Sequence, residues 1–263
     1  MYNMRVLAVG DIVGVPGREY VYNNLNKIRR KYNIDFVVAN GENSATSNGI
    51  TPDIAERLVQ SGVDVITMGN HTYGTKTAGM ALDENPRLIR PLNFPPEFEG
   101  RGFTVQDLGF ASVAVINLIG RINMTPADCP FRAVEKALRE ISADIIIVDI
   151  HAETTSERLA MGNFLDGKVQ IVFGTHTHVQ TADEHILPGG TAYISDLGMT
   201  GIMDSILGVK KEIIIDYYYN AGKRFRFEKA EEGEVWFNGC IFDIDNKTKK
   251  VTGIERLRFS KID

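Results

Sequence analysis

The sequence predicts an α/β fold: a layered sandwich of buried β-sheet flanked by helices, with a C-terminal antiparallel hairpin. Five short apolar runs, each ending in a polar cluster, alternate with stretches of helical spacing. Runs without polar alternation are buried on both faces, as in a sheet covered by helices. The close of the chain is instead β-rich around one polar turn, which adds the hairpin.

In chain order, Val6 to Val9 is the first strand and ends in Gly10-Asp11. Glu19 to Lys31 has helical spacing, and Pro16-Gly17-Arg18 is suited to open it, with Arg18 solvated. Phe36 to Ala39 runs into Asn40-Gly41-Glu42-Asn43, Pro52 to Ser61 is a helix, and Val65 to Met68 runs into Gly69-Asn70-His71. Ala133 to Ile141 places Val134, Ala137, Leu138 and Ile141 on one helical face. Ile145 to Val148 leads into Asp149-Ile150-His151, after which Thr154-Thr155-Ser156-Glu157 has capping-box spacing and starts a helix. Ile171 to Phe173 leads into Gly174-Thr175-His176-Thr177-His178. Lys210 to Asn220 reads as a helix, although its Ile and Tyr content also suits a strand, and the aromatics Tyr217-Tyr218-Tyr219 read as packing residues. Val235 to Ile244 and Val251 to Phe259 flank the turn from Asp245 to Lys249, a hairpin at about 234–260 that closes the sheet. No Pro/Gly/Ser-rich linker divides the chain, so 1–263 reads as a single domain.

Composition narrows the function. The chain has 43% apolar and 24% charged residues, enough to bury a core and stay in solution. Its 29 Lys and Arg against 34 Asp and Glu leave a net charge of -5, the wrong sign for holding long nucleic acid on a basic surface. Cys129 and Cys240 are too few for a disulfide framework or a thiolate cluster, which fits a reducing cytoplasm. The start, Met1 to Arg5, lacks the order of a signal peptide, and no apolar run approaches a membrane span. The expectation is a soluble cytoplasmic protein, with a homo-oligomer compatible with all of this.

Of five His, four (His71, His151, His176 and His178) stand at the ends of the predicted strands. Ligands of such sheets bind at the carboxyl ends of the strands. Imidazole, carboxylate and amide oxygen are the donors of hard and borderline metals, so Asp11, Glu42, Asn70, His151, His176 and His178 form a nitrogen and oxygen set large enough for two ions. Glu42 can give one oxygen to each ion. Asn43 reads equally as an extra ligand or as a turn residue. Two divalent ions outweigh Asp11 and Glu42 even with a bridging hydroxide, leaving a cationic pocket suited to phosphate. Paired metals about 3.5–4 Å apart can activate water there. His71 follows Asn70 and is read as the proton donor to the leaving oxygen, not as a ligand. Gly10, Gly14 and Gly17 match neither a dinucleotide fingerprint nor a P-loop. His185 reads as a loop residue and Cys129 as structural.

These residues resemble the calcineurin-like metallophosphoesterases, through Gly10-Asp11, Gly69-Asn70-His71 and Gly174-Thr175-His176-Thr177-His178. The chain is similar in more detail to one bacterial branch, the YmdB-like family of 2′,3′-cyclic-nucleotide 2′-phosphodiesterases. That likeness rests on Gly10 to Gly14, Asn40 to Asn43, Asp149 to Glu153 and the run from Phe173 to Gly208. Where the superfamily has Asp-x-His this chain has Asp11-Ile12-Val13, and where it has a bridging Asp this chain has Glu42-Asn43, both features of the branch. The resemblance implies a metallophosphoesterase-like sandwich in which Asp11, Glu42, Asn43 and His178 hold one metal. Glu42, Asn70, His151 and His176 would hold the other, with His71 as proton donor and iron favoured over manganese or zinc. It implies a small 2′,3′-cyclic nucleotide as substrate, attacked by a metal-bridging hydroxide and opened to the 3′-phosphate. Thr72-Tyr73-Gly74 departs from the Trp-Asp that the family leads one to expect after the GNH block, a difference that bears on loop shape and substrate fit. The same core could serve a phosphomonoesterase or a nuclease, and a metal-containing nucleotide-binding regulator is the rival from another class. A free imidazole at His71 speaks for catalysis.

Overall fold

A computed structural model describes residues 3–220 and 226–262. Met1 and Tyr2, in the start read as leaderless, and Asp263, the last residue of the 1–263 span, lie outside them. From the N-terminus come β1 (Asn3–Val9), β2 (Asp11–Ile12), α1 (Gly14–Tyr32), β3 (Phe36–Asn40), α2 (Pro52–Gln60), β4 (Val65–Thr67) and α3 (Ala78–Glu84). Next are β5 (Phe103–Asp107), β6 (Ser112–Ile119), α4 (Pro130–Glu140), β7 (Ile145–His151), α5 (Thr155–Leu165), β8 (Ile171–Thr175), β9 (His185–Ile186) and β10 (Ala192–Ile194). The chain finishes with β11 (Met199–Ile202), α6 (Lys211–Tyr219), β12 (Val235–Asp245) and β13 (Val251–Phe259).

The five predicted strands are β1, β3, β4, β7 and β8, but they are shared between two sheets. One sheet runs β2-β11-β12-β1-β3-β4 with β13 beside β12, and the other runs β5-β6-β7-β8-β10-β9. Side chains alternate across a strand, so each apolar run faces two layers at once. Val6, Ala8, Phe36 and Val38 point toward the second sheet and meet Val115, Ile147 and Phe173. Leu7, Val9, Val37 and Ala39 point outward onto Val21, Leu25 and Ile28 of α1 and Leu58 of α2. On the far side Val148, Ile150 and Val172 pack under Val134 of α4 and Met161 and Leu165 of α5. The result is a helix–sheet–sheet–helix sandwich, with each fully buried aliphatic side chain contributing about 1.5–3 kcal/mol.

Several expectations need correction. The C-terminal antiparallel hairpin is present as β12 and β13, but its first strand is central: β12 lies inside the sheet, antiparallel to β1 from Asn3 opposite Asp245 to Val9 opposite Gly239. The reason is burial, since Phe237 and Ile241 face one core and Cys240, Phe242 and Ile244 the other, whereas the half-exposed β13 takes the edge. Lys211–Tyr219 is helical as read, but none of its residues is buried, and Tyr218 and Tyr219 are 77% and 86% exposed, so they are not packing residues. The first helix begins at Gly14, ahead of Pro16, and Arg18 is not simply solvated because its Nη1 donates to the Ser44 carbonyl at 2.8 Å. His185 lies in the short strand β9 rather than in a loop. A helix does follow Thr154, without the capping box: the Glu157 carboxylate accepts from the Arg121 and Ile122 amides instead. Among the described residues, no helix is long and apolar enough to cross a membrane.

Candidate metal centre and active site

Parallel pairing of β1 with β3 and β3 with β4 puts the carboxyl ends of these strands on one edge of the first sheet. Parallel pairing of β6, β7 and β8 does the same in the second sheet. The polar clusters therefore meet where the two sheets come together. Asp11, Glu42, Asn43, Asn70 and His71 arrive from the first sheet, and His151, His176 and His178 from the second.

Three side-chain atoms converge on His151 Nε2. It lies 2.9 Å from Asn70 Oδ1, 3.1 Å from Glu42 Oε1 and 3.1 Å from His176 Nδ1. Ligands at about 2.1 Å in right-angled positions around one ion stand about 3.0 Å apart, so this spacing is that of a metal shell. Glu42, His151 and His176 accordingly form a group that can hold a metal ion. A second set adjoins it. Asp11 is fully buried, and its Oδ1 has no hydrogen-bond partner among the described residues, standing 3.5 Å from His178 Nε2. Asn43 Nδ2 lies 3.2 Å from His178 Nε2 and 3.4 Å from Glu42 Oε1, so a half-turn of its amide would present oxygen there.

The outer nitrogens of the three rings decide what the inner ones offer. Thr175 Oγ1 donates to Asp149 Oδ1 at 2.8 Å, so it accepts from His151 Nδ1 at 2.9 Å. His178 Nδ1 donates to the Leu207 carbonyl at 2.9 Å, and His176 Nε2 meets Glu153 Oε2 at 2.9 Å. Each imidazole thus engages an outer acceptor with one nitrogen and turns the other inward, the orientation that outer acceptors impose on metal-ligating His. The carboxylates add a pull for positive charge. Burial alone would push His151 down, yet Glu42, Asp11 and Asp149 hold it up at about 9. Burial would raise Asp11, but the His178 ring holds it well below the usual carboxylate range.

Backbone strain marks the same place. His176 and His178 have φ of 109° and 62°, a region that costs a residue with Cβ on the order of 1–3 kcal/mol. The turn is held by Asp11 Oδ2, which accepts from the His176 amide at 3.0 Å, and by Asp196 Oδ2, which accepts from Thr177 N and Oγ1 at 3.0 and 2.7 Å. The glycine of the Gly69-Asn70-His71 block is a matter of space: a Cβ there would stand 2.3 Å from His151 Nε2 and 2.5 Å from Glu42 Oε2.

His71 sits at the rim. Its amide donates to Glu42 Oε2 at 2.9 Å, and both ring nitrogens lie 3.2 Å from Asn48 Nδ2. Burial pushes its pKa down. Gly74, where the chain departs from the expected Trp-Asp, lets the neighbouring loop close in, because a Cβ would stand 2.6 Å from the Asn48 carbonyl oxygen. Asn48, Glu153, Thr175, Asp196 and Lys229 all support the site and were given no role in the sequence reading. Each acts through a residue distant in sequence, and the local signal was confined to the blocks and the run quoted for the family likeness, which hold Glu153, Thr175 and Asp196.

Fold and site together define a metallophosphoesterase-type scaffold. Haemophilus influenzae NAD nucleotidase shares the fold alone, at a TM-score of 0.61 and 12% identity, covering 98% of this chain and 56% of that one. The chain belongs to the YmdB-like protein family, whose sequence profile matches residues 7–257. It is 46% identical over 256 residues to the Bacillus subtilis 2′,3′-cyclic-nucleotide 2′-phosphodiesterase, covering 97% of this chain and 96% of that protein. The crystal structure of a phosphatase from Mycoplasma pneumoniae superposes at a TM-score of 0.92 with 37% identity, covering 98% of this chain and 94% of that one.

Proposed function

We propose that the chain acts as one catalytic domain in the cytoplasm, a dinuclear metal-dependent phosphodiesterase that opens 2′,3′-cyclic nucleotides to 3′-phosphates. The observation that carries this reading is the inward-facing ring nitrogen on each of His151, His176 and His178, gathered with Glu42, Asn70 and Asp11 Oδ1, which has no hydrogen-bond partner among the described residues. In this reading Asp11, Glu42, Asn43 and His178 hold one ion, and Glu42, Asn70, His151 and His176 the other. A ligand set without thiolate suits iron, manganese or zinc, with iron favoured by the family resemblance. Bound ions would supply activation of water and neutralisation of phosphoryl charge.

The chain's own groups do the rest. Glu42 fixes the His71 backbone through Oε2 while Oε1 faces His151, so the proton donor and the ligand cluster keep one distance. Asn48 steadies the His71 ring, which gives its proton to the departing 2′-oxygen. The opening at the 2′-oxygen is supported by the name of the Bacillus subtilis relative. The net charge of -5 favours a small phosphodiester over long nucleic acid. A phosphomonoesterase is the second reading, favoured by the name of the Mycoplasma pneumoniae relative.

The test is hydrolysis of 2′,3′-cyclic AMP by protein loaded in parallel with iron and manganese, with chelator controls and separation of the 2′- and 3′-phosphates. Chelator-sensitive release of the 3′-phosphate is expected. Hydrolysis of 3′-AMP alone, with the cyclic diester untouched, would favour the monoesterase.

A further inference from the structure

Beside His71 opens a cavity of about 330 Å³ lined by Asn70, His71 and, on its apolar side, Tyr73, Phe94 and Phe98. The three rings form one cluster: Tyr73 meets Phe98 edge-on at 5.4 Å and 87°, and Phe94 lies 6.3 and 6.1 Å from the two. Phe94 is the buried floor, whereas Tyr73 and Phe98 remain 36% and 44% exposed at the mouth.

The wall is built before any ligand arrives. The buried Arg90 guanidinium donates to the carbonyls of Pro91, Pro95, Phe98 and Glu99 at 2.8, 3.4, 3.3 and 3.2 Å, holding the loop that carries both phenylalanines. The Tyr73 hydroxyl donates to the Glu99 carbonyl at 2.8 Å, locking the third ring to the same loop. Thr125 and Pro126 also line it, and among the described residues no Asp, Glu, Lys or Arg does. Its occupant is therefore flat, uncharged and able to stack. The volume lies at the low end for small-molecule sites, which span about 300–1,000 Å³, so it suits one nucleoside rather than an oligonucleotide track.

We propose that this cavity seats the nucleobase of the substrate, with Tyr73 and Phe98 as its stacking surfaces and Phe94 as its floor. The inference rests on the phosphodiesterase reading and deepens it. In a 2′,3′-cyclic nucleotide the leaving 2′-oxygen and the base are carried by adjacent ring carbons. If His71 protonates that oxygen, the base must lie beside His71, which is where the aromatic wall stands. A π-face is common to every base, so stacking of this kind tolerates all four.

The experiment compares kcat/KM for 2′,3′-cyclic AMP with that for ribose 2,3-cyclic phosphate, which lacks the base, in wild type, Phe98→Ala and Phe98→Leu. The wild type should prefer the base-bearing substrate, and Phe98→Ala should lower the ratio about 5- to 100-fold, with Phe98→Leu intermediate. Nuclear Overhauser contacts from the adenine protons of 3′-AMP to the rings of Tyr73 and Phe98 in metal-free protein provide a readout independent of turnover. A ratio unchanged by Phe98→Ala, or adenine contacts mapping elsewhere, would overturn the base site and leave the phosphodiesterase reading standing. Hydrolysis of neither substrate by metal-loaded wild type would instead overturn the reading, and the inference with it.

Discussion

Lys229 reaches back across the sequence to place its Nζ 2.7 Å from the carbonyl oxygen of Asn43, and the same ammonium donates to Ala45 and Ser47 at 3.0 and 2.5 Å. One side chain thus clamps the loop that carries both Asn43 and Asn48. Burial holds its pKa down at about 8. Lys229→Met should loosen the loop and lower metal affinity and kcat/KM about 10- to 100-fold, the usual range for residues supporting a metal site. Metal titration followed by steady-state kinetics checks this; wild-type values in both would show that the loop holds without its clamp.

His71 touches the cluster through its backbone N–H, which donates to Glu42 Oε2 at 2.9 Å, and through its ring, whose Nε2 lies 3.2 Å from Asn70 Nδ2. On the proposed mechanism, with His71 as proton donor beside two metal ions, His71→Ala should keep its metal and lose about 10²- to 10⁴-fold in turnover, the usual contribution of a general acid. Elemental analysis of the purified variant decides: missing metal would make His71 a ligand instead.

His176 turns Nδ1 inward, 3.1 Å from His151 Nε2, with Glu153 Oε2 engaging its Nε2 at 2.9 Å. His176→Ala should lower the metal bound per chain, and Glu153→Ala should weaken metal affinity about 10- to 100-fold by freeing the ring. A fully metallated, active His176→Ala would contradict the ligand role.

Arg158 is 2% exposed and its Nη1 meets the fully buried Asp196 at 3.0 Å, while the same Nη1 donates to the Ser195 carbonyl and Nε to that of Ala152. Arg158→Met would strand the Asp196 carboxylate without a countercharge, so unfolding should become easier by about 3–5 kcal/mol. Adding Asp196→Asn should recover part of that loss. Urea denaturation of the single and double variants tests it, and a double variant no more stable than the single would place the damage elsewhere.

Asp149 is fully buried, with Thr67 and Thr175 donating to it at 2.5 and 2.8 Å; burial pushes its carboxyl up to about 7 from 3.8, with His151 opposing. The folded chain therefore holds this proton more tightly than the unfolded chain. The stabilisation is complete below the unfolded value and is lost as pH rises through about 7. In metal-free protein, Asp149→Asn should flatten the fall in stability between about pH 5 and pH 8. Urea midpoints for both proteins at the two pH values would show it; parallel changes would assign the fall to other groups.

The apolar runs that became β1, β3, β4, β7 and β8 were legible because a strand buried on both faces needs no polar alternation. Val113 to Ile119 of β6 has the same character and was not among the runs read, and β5, with only Thr104 buried, has too weak a pattern to announce itself. Nothing local distinguishes a strand of the first sheet from one of the second, since both present apolar residues on each side. The position of β12 depended on burial of its two faces, which the hairpin pattern could not reveal.

By itself the sequence determined the residue types of the site and their place at strand ends, because a turn after a buried strand is where polar side chains can leave the core. It did not determine which nitrogen of each imidazole faces inward. Tertiary structure decided that through Thr175, Glu153 and the Leu207 carbonyl, since an imidazole's orientation depends on the acceptor its other nitrogen finds. Structure alone also set the clamp of Lys229 on the loop of Asn43 and the grouping of Tyr73 with Phe94 and Phe98. Such contacts join segments far apart in the chain, and no local pattern records the partner that folding brings to a side chain.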